Sequence, residues 1–292
     1  MRSLAVLGVV AALVMGLVQN DGELSTVQAS QPTETALMAS SSPSLVVATF
    51  NLLGHSHTER GGKFARMSSG AVRLKRTSRL LRRHTIDVVG LQEVHPPQYK
   101  RLGRDLARYS YYPGPGVAQR NKQNLVAWKK SRFSLVRGTS VLIPYKRGRL
   151  VPMPVVKLRD KASGETFWAV TVHNAPGKTA KARASRAKAV KKQVALTNRL
   201  RATGSPVFMT GDMNDRVGYF CRYTAGGAMV AAAGGYRSAT RCTPPPARRA
   251  QIDWVFGSRR DVSFSGYQFV RSPAVRRTSD HPLVLARATW RG

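Results

Sequence analysis

The chain is short of acid. Its 292 residues hold 14 Asp and Glu against 48 Lys and Arg, a formal net charge of +34. So few carboxylates cannot neutralise the basic side chains, and the molecule carries a strong positive field. Such a field favours polyanions: nucleic acid, an anionic membrane surface or an acidic polysaccharide. Dense basic runs occupy 73–83, 178–192 and 271–277. Cysteine is scarcer still. Cys221 and Cys242 are the only two, so one bridge is the most the chain can close. Long apolar runs are also missing. Leu4 to Val18 is a continuous apolar stretch, shorter than the roughly 20 residues of a spanning helix, and no later segment is long enough either. No internal repeat is evident, which sets aside a repeat array.

What is present begins with a processing signal. Arg2 precedes the apolar stretch, and Val27-Gln28-Ala29 fits the small-x-small cleavage rule, so residues 1–29 read as a secretory signal peptide. An uncleaved N-terminal membrane anchor is the alternative. Residues 30–44 are rich in Ser, Thr and Pro and read as a flexible leader. The remainder, 45–292, fits one large α/β domain. In a secreted chain an even cysteine count favours a Cys221–Cys242 disulfide. Closing a loop of about 20 residues contributes about 3 kcal/mol in the chain-entropy account.

The pattern along the chain is strand-heavy. Leu45 to Phe50, Ile86 to Leu91, Leu125 to Trp128, Phe133 to Val136, Thr139 to Ile143, Val155 to Leu158, Thr166 to Val172, Pro206 to Thr210, Gln251 to Phe256 and Leu283 to Ala288 read as strands. Three or four helices separate them. One is basic around Leu74 and Leu81, one opens at Pro96-Pro97 and contains Leu102 and Leu106, and one is rich in Ala, Lys and Arg with Ala187, Val190 and Val194 on one face. Sheets packed on each other with helices outside fit this order.

Against that background four acids stand out. Glu93, Asp212, Asp253 and Asp280 each lie in an apolar, strand-end context. An acid there costs desolvation energy unless a cation or hydrogen bond meets it. Asn51, His173, Asn214 and His281 occupy similar ends. Together they predict one site, with a bound divalent cation and acid–base groups acting on an anionic substrate.

Six motifs then carry a resemblance. Thr49-Phe50-Asn51, Leu91-Gln92-Glu93-Val94, Val172-His173, Gly211-Asp212-Met213-Asn214, Ile252-Asp253-Trp254 and Ser279-Asp280-His281-Pro282-Leu283 resemble, in order, the motifs of the endonuclease/exonuclease/phosphatase superfamily. The resemblance runs from about residue 45 to the C-terminus. It implies a four-layer α/β/β/α sandwich, an α+β fold of two packed mixed sheets with helices on both outer faces. It implies phosphoester cleavage with Mg²⁺, Mn²⁺ or Ca²⁺ being the alternatives. Mg²⁺ wants few protein oxygens and keeps its waters. Glu93 would be the main ligand, assisted by Asn51 and Asp280. Asp212 and Asn214 would orient or deprotonate the attacking water and hold the phosphoryl group. Asp253 would fix the tautomer of His281, and His173 would donate to a phosphate oxygen or the leaving group. Asn124, just before a strand, is a candidate phosphate contact. His55, His57, His84 and His95 read as loop or helix surface, and Met213 and Trp254 as core.

The stretch Thr171 to Pro176 looks like the matching strand of deoxyribonuclease I-type enzymes, and the two cysteines lie where secreted members carry a disulfide. The chain departs from them at Arg120-Asn121-Lys122-Gln123-Asn124, where they place a Tyr and a Glu that pairs the first catalytic His. Leu53 stands where abasic-site repair nucleases have an acid, which argues against that branch. Basic residues spread over the whole chain suit a nucleic acid, DNA or RNA, better than a small inositol phosphate. A secreted monomeric nuclease is therefore expected, with an anionic cell-surface polymer as a further partner. A sphingomyelinase-type enzyme or other phosphatase is the alternative, for which Val217-Gly218-Tyr219-Phe220 is the candidate membrane loop. A basic polyanion-binding protein without turnover is the third reading.

Overall fold

The alternation of the strands decides the architecture. In β1 (Ser44–Asn51), Val46, Ala48 and Phe50 pack with outer helices, while Leu45 and Val47 point into a layer between two sheets. That period of two is what a strand buried on both faces shows. The computed structural model describes residues 42–115, 123–225, 228–249 and 251–291. The expected signal peptide and the leader up to Ser41 lie outside them, as does the 116–122 part of the Arg120–Asn124 region. Ser44 belongs to β1, so the strand begins one residue before the expected boundary.

From β1 the chain enters a 3₁₀ turn at His55–Thr58, then α1 (Gly70–Arg83), β2 (Val88–Gln92), α2 (Pro96–Tyr99) and α3 (Leu102–Asp105). Next come β3 (Tyr109–Tyr112), β4 (Leu125–Lys129), β5 (Phe133–Pro144), β6 (Leu150–Asp160) and β7 (Thr166–His173). The long α4 (Ala180–Arg201), β8 (Val207–Asp212), α5 (Val217–Tyr223) and β9 (Met229–Ala231) follow. The chain ends with β10 (Tyr236–Arg237), β11 (Cys242–Thr243), β12 (Asp253–Ser258), β13 (Val262–Val270), α6 (Pro273–Arg276) and β14 (Leu283–Trp290).

Two six-stranded sheets result, ordered β13-β14-β1-β2-β4-β3 and β5-β6-β7-β8-β12-β9. Each is mixed: β1 and β2 are parallel, as are β7 and β8, and their other neighbours are antiparallel. Val88, Trp128, Phe167, Phe208, Val255, Val284 and Trp290 fill the layer between the sheets. Leu74, Leu81, Leu102 and Val275 seal helices over the first sheet, and Val190, Leu196, Tyr219 and Tyr223 seal α4 and α5 over the second. This is the expected α/β/β/α sandwich.

Several elements differ from the sequence expectation. The two short strands at 133–143 are one strand, β5, interrupted by a bulge between Leu135 and Arg137. The helix opening at Pro96 is two four-residue helices. The expected break at Tyr111–Gly116 begins inside β3. On α4 the buried face carries Ala189, Val190, Gln193, Leu196 and Thr197, and Ala187 is exposed. A polar clamp sets that rotation. Gln193 donates to Asn174 Oδ1 at 2.7 Å and accepts from the Tyr219 hydroxyl at 3.0 Å. The expected disulfide joins Cys221 on α5 to Cys242 on β11.

Candidate active site

The inward-facing positions of the central strands form a gradient. β1 runs Leu45, Val47, Thr49, Asn51; β2 runs Val88, Gly90, Gln92; β7 runs Phe167, Ala169, Thr171, His173; β8 runs Phe208, Thr210, Asp212. The columns are apolar at one end, small or hydroxylic in the middle and functional at the other. The middle is a buried polar layer, in which Gln92 Nε2 donates to Thr171 Oγ1 at 2.7 Å and to Thr49 Oγ1 at 3.1 Å. Gly90 lets the sheets meet there, because a Cβ would stand 2.1 Å from Thr210 Oγ1. Gly211 is required for a similar reason, since its Cβ would stand 2.1 Å from Val172 O.

The strand ends align in register. His173 on β7 and Asp253 on β12 are the two neighbours of Asp212 on β8, and Asn51 is opposite Gln92 across β1 and β2. Asp212 Oδ2 is the hub. It lies 3.2 Å from Asn51 Nδ2, 3.5 Å from His173 Nε2 and 3.8 Å from His281 Nε2. Its other oxygen accepts from the Asn214 backbone N–H at 2.9 Å.

Glu93 reaches the hub by a turn of the backbone. Strand alternation would send it away from the inner layer, but the chain adopts φ 55° there. Leu53 and Asn214, also near the site, have φ 51° and 50°. Such left-handed conformations cost of order 1–3 kcal/mol each and persist only where surroundings impose them. The Glu93 carboxylate then accepts from Asn51 Nδ2 and Gly54 N–H, both at 3.0 Å. Burial pushes its pKa up, but His173, the Gly54 amide, Asn51 and His57 outweigh burial and hold it at about 2.

His281 enters from the loop before β14. Ser279 fixes that loop, donating its hydroxyl to Asn51 O at 2.6 Å and accepting from His281 N–H at 3.1 Å. The His281 Nδ1 lies 3.0 and 3.1 Å from the two Asp253 oxygens. Burial pulls the imidazole pKa down. The charge and hydrogen bond of Asp253, then Asp212 and Asp280, overcome that pull and raise it to about 10. Burial raises Asp253 in turn, opposed by His281. The buried acids thus favour the protonated form of His281, whose Nε2 lies 3.8 Å from Asp212 Oδ2.

Of the other expected residues, Asp280 shares the field of Arg73, Asp253 and His281, and its Oδ1 is buried with no hydrogen-bond partner among the described residues. Asn214 is spent partly on structure, since its Nδ2 donates to Asn174 O at 3.0 Å. Asn124 is buried beside the end of β2, where Val94 N–H donates to Gln123 O, and its Oδ1 also lacks a partner among the described residues. Met213 and Trp254 are core.

Four residues escaped the sequence reading. His57, expected on the surface, places Nε2 3.3 Å from Glu93 Oε2. His95, also expected there, is partly buried, with its ring against Gly54. Tyr145, just after β5, sets its ring edge-on to His173, with centroids 5.6 Å apart. Its hydroxyl pKa is raised by burial, then by Glu93 and Asp212. Arg73 is fully buried on α1 and donates to Leu52 O, Thr278 O and Gly54 O, joining the loop after β1 to the loop that carries His281. Burial lowers its pKa to about 10, and Asp280 and Glu93 keep it charged. A charged residue in phase with Leu74, Thr77 and Leu81 was the available signal. Arg73→Met should lower stability by about 3 kcal/mol, because three buried carbonyls each lose a charged hydrogen bond. An unchanged urea midpoint would show that those hydrogen bonds carry no weight.

The sequence model of the Endonuclease/Exonuclease/phosphatase family matches residues 48–281. No curated protein sequence matches the chain. Among solved structures, the mannosyl-6-phosphatase of Bacteroides thetaiotaomicron superposes with a TM-score of 0.64 at 18% identity, covering 84% of this chain and 100% of that one. The human Nocturnin catalytic domain with bound sulfate gives 0.63 at 16% identity, covering 86% and 96%. TDP2 of D. rerio, complexed with a single strand DNA product, gives 0.60 at 15% identity, covering 84% and 99%. At these identities the structural likeness is one of fold.

Proposed function

Because the chain belongs to the endonuclease/exonuclease/phosphatase family, whose members hydrolyse phosphoester bonds, we propose that it is a secreted, divalent-metal-dependent nuclease acting on DNA or RNA. The observation that carries the reading is the meeting of Asn51, Glu93, His173, Asp212 and the Asp253–His281 pair at one end of the sandwich.

The residues fit a hard cation. Glu93 and Asp280 offer carboxylate oxygens, Asp280 Oδ1 is buried without a partner among the described residues, and Asn51 Oδ1 keeps a second lone pair beside the one used by Leu53 N–H. Mg²⁺ bound there would neutralise a phosphate oxygen and stabilise charge as the ester breaks. Asp212, Asp253 and His281 also offer ligand atoms within 4.8 Å of one another. In that trio the Asp253–His281 hydrogen bond already occupies His281 Nδ1, so we assign it to proton handling.

Asp212 orients the attacking water and takes its proton as the water oxygen bonds to phosphorus. The bond from phosphorus to the leaving oxygen breaks with its electron pair on that oxygen. His281, held protonated by Asp253, faces the phosphoryl group as a hydrogen-bond donor. His173, braced by Tyr145 where related enzymes would use a carboxylate, donates to a phosphate oxygen or the leaving oxygen.

Charge favours a polynucleotide. Among the described lysines and arginines only Arg101, Arg104, Lys129, Arg132 and Arg222 pair with a carboxylate, so most of the positive surface is left to an external polyanion. The membrane loop considered from sequence loses its support: Tyr219 and Phe220 are buried. Leu142 and Leu150, exposed on the β5–β6 hairpin, are the observation that keeps a phospholipid in the test. Secretion rests on the N-terminal sequence and is in keeping with the disulfide.

The test is a screen of purified protein on plasmid DNA, RNA and sphingomyelin, each with and without EDTA. Nucleic-acid cleavage that EDTA abolishes is expected. Phosphocholine release without nuclease activity would replace the reading with that of a sphingomyelinase-type phospholipid phosphodiesterase. Tight nucleic-acid binding with no product under any divalent metal would replace it with a binding protein.

A further inference from the structure

Starting at the Arg277–Thr278 segment that leads into the reaction loop, α1 and α6 enclose a cleft of about 300 Å³ that runs along α1 away from the site. Its walls carry Arg76, Arg79, Arg83 and Arg277, above the buried Leu80 and Thr278. Arg76, Arg79 and Arg83 recur at three- and four-residue steps, so they share one face of α1. Arg277 faces them from the end of α6, and Arg76 Nη1 donates to its carbonyl at 2.7 Å, tying the two walls together. None of the four forms an ion pair with a carboxylate among the described residues. Four like charges held in a concave site raise one another's energy, and an anion relieves it.

Place separates this cleft from the rest of a basic surface. Arg277 and Thr278 run directly into Ser279, Asp280 and His281, and Thr278 O accepts from Arg73, one turn before Arg76 on α1. The cleft wall and the reaction loop are one continuous segment. A second basic cleft of about 560 Å³, around Arg82, Arg108, Lys129 and Lys130, adjoins it past the C-terminal end of α1 and has no wall on the loop that carries His281. There Lys129 already pairs with Asp87 at 2.8 Å.

We propose that the arginine cleft between α1 and α6 is a secondary phosphate-binding subsite, taking backbone phosphates of a polynucleotide strand one or more nucleotides away from the bond that is cut. The proposal rests on the nuclease reading above. Guanidinium groups suit the task because they meet phosphate oxygens with paired N–H donors. Arg76 and Arg83 are about 10 Å apart along the helix axis, enough to meet more than one phosphate. Interactions of this kind set the register of the strand on the enzyme and read no base.

The experiment compares wild type with Arg79→Glu/Arg83→Glu, and with Lys188→Glu/Lys191→Glu on exposed α4 positions, which removes the same charge elsewhere. Each is assayed on a labelled single-stranded oligonucleotide and on bis(p-nitrophenyl) phosphate, a diester too small to reach the cleft. Binding of the oligonucleotide is also measured by fluorescence anisotropy in EDTA across a salt series. The cleft variant should raise KM and Kd for the oligonucleotide about tenfold or more, and flatten the log–log salt slope by about 0.7 for each single-strand phosphate that the protein no longer neutralises. Its kcat, and its activity on the small diester, should stay at wild-type values, and the α4 variant should show a much smaller change.

A cleft variant that matches wild type or the α4 control on an oligonucleotide that wild type cuts and binds would overturn the subsite alone. A matching loss on the small diester would mark a structural effect and overturn it too. Wild type that neither binds nor cuts the oligonucleotide, while hydrolysing another phosphoester, would remove the nuclease reading and the subsite with it.

Discussion

Asp212→Asn should yield a folded protein whose turnover falls by about 10²–10⁴-fold, the usual worth of a positioned general base. The substitution keeps the shape of the side chain, and its remaining oxygen can still accept from Asn214 N–H, so the end of β8 holds. What it removes is the acceptor at the hub. Oδ2 faces Asn51 Nδ2 at 3.2 Å and the Nε2 atoms of His173 and His281 at 3.5 and 3.8 Å. An amide nitrogen in that place would point a donor at donors and could take no proton from water. Steady-state turnover on whichever phosphoester the screen identifies, beside circular dichroism of the same sample, checks the result. Near-normal turnover in a folded Asp212→Asn protein would remove Asp212 from the machinery.

How much of this was legible in sequence follows from the strands. Asn51, His173 and Asp212 each end a run of alternating side chains and Asp253 begins one that runs the other way, and the sandwich brings the inner members of such runs together at one end. Their grouping could therefore be read from strand ends alone, and so could the packing of sheet on sheet. Glu93 stands one step out of phase, and its left-handed backbone was not visible in the pattern. Strand β13 is hidden in the sequence because its alternation mixes exposed Ser with Phe and Tyr on an edge. The rotation of α4 is equally hidden, because Gln193, Thr197 and Arg186 sit on its buried face and apolar periodicity does not count them. His57 and Tyr145 reach the site from loops, where no periodicity exists to place them. Their approaches to Glu93 and His173 are long-range facts of the fold.

Asp253→Asn should lower kcat by about 10²–10⁴-fold and should do so through His281. In the native protein burial alone would leave His281 easier to deprotonate than a free imidazole. Asp253, with both oxygens within 3.1 Å of Nδ1, supplies the largest opposing effect, and Asp212 and Asp280 add to it. Removing the Asp253 charge leaves burial opposed only by the two weaker contributors, so the imidazole pKa should fall from about 10 toward or below its ordinary value. A group that must carry its proton is ready at every pH below its pKa. The variant should therefore lose activity as pH rises through a lower value, and its residual optimum should move to the acid side. The asparagine can also turn its NH₂ toward Nδ1, which then accepts and forces the remaining proton onto Nε2. NMR titration of the His281 ring reads the pKa without turnover, and the pH profile of kcat reads its consequence. An unchanged His281 titration would break the link between the buried acid and the imidazolium. A lowered pKa with unchanged kcat at neutral pH would keep the pairing and strip it of any part in the reaction.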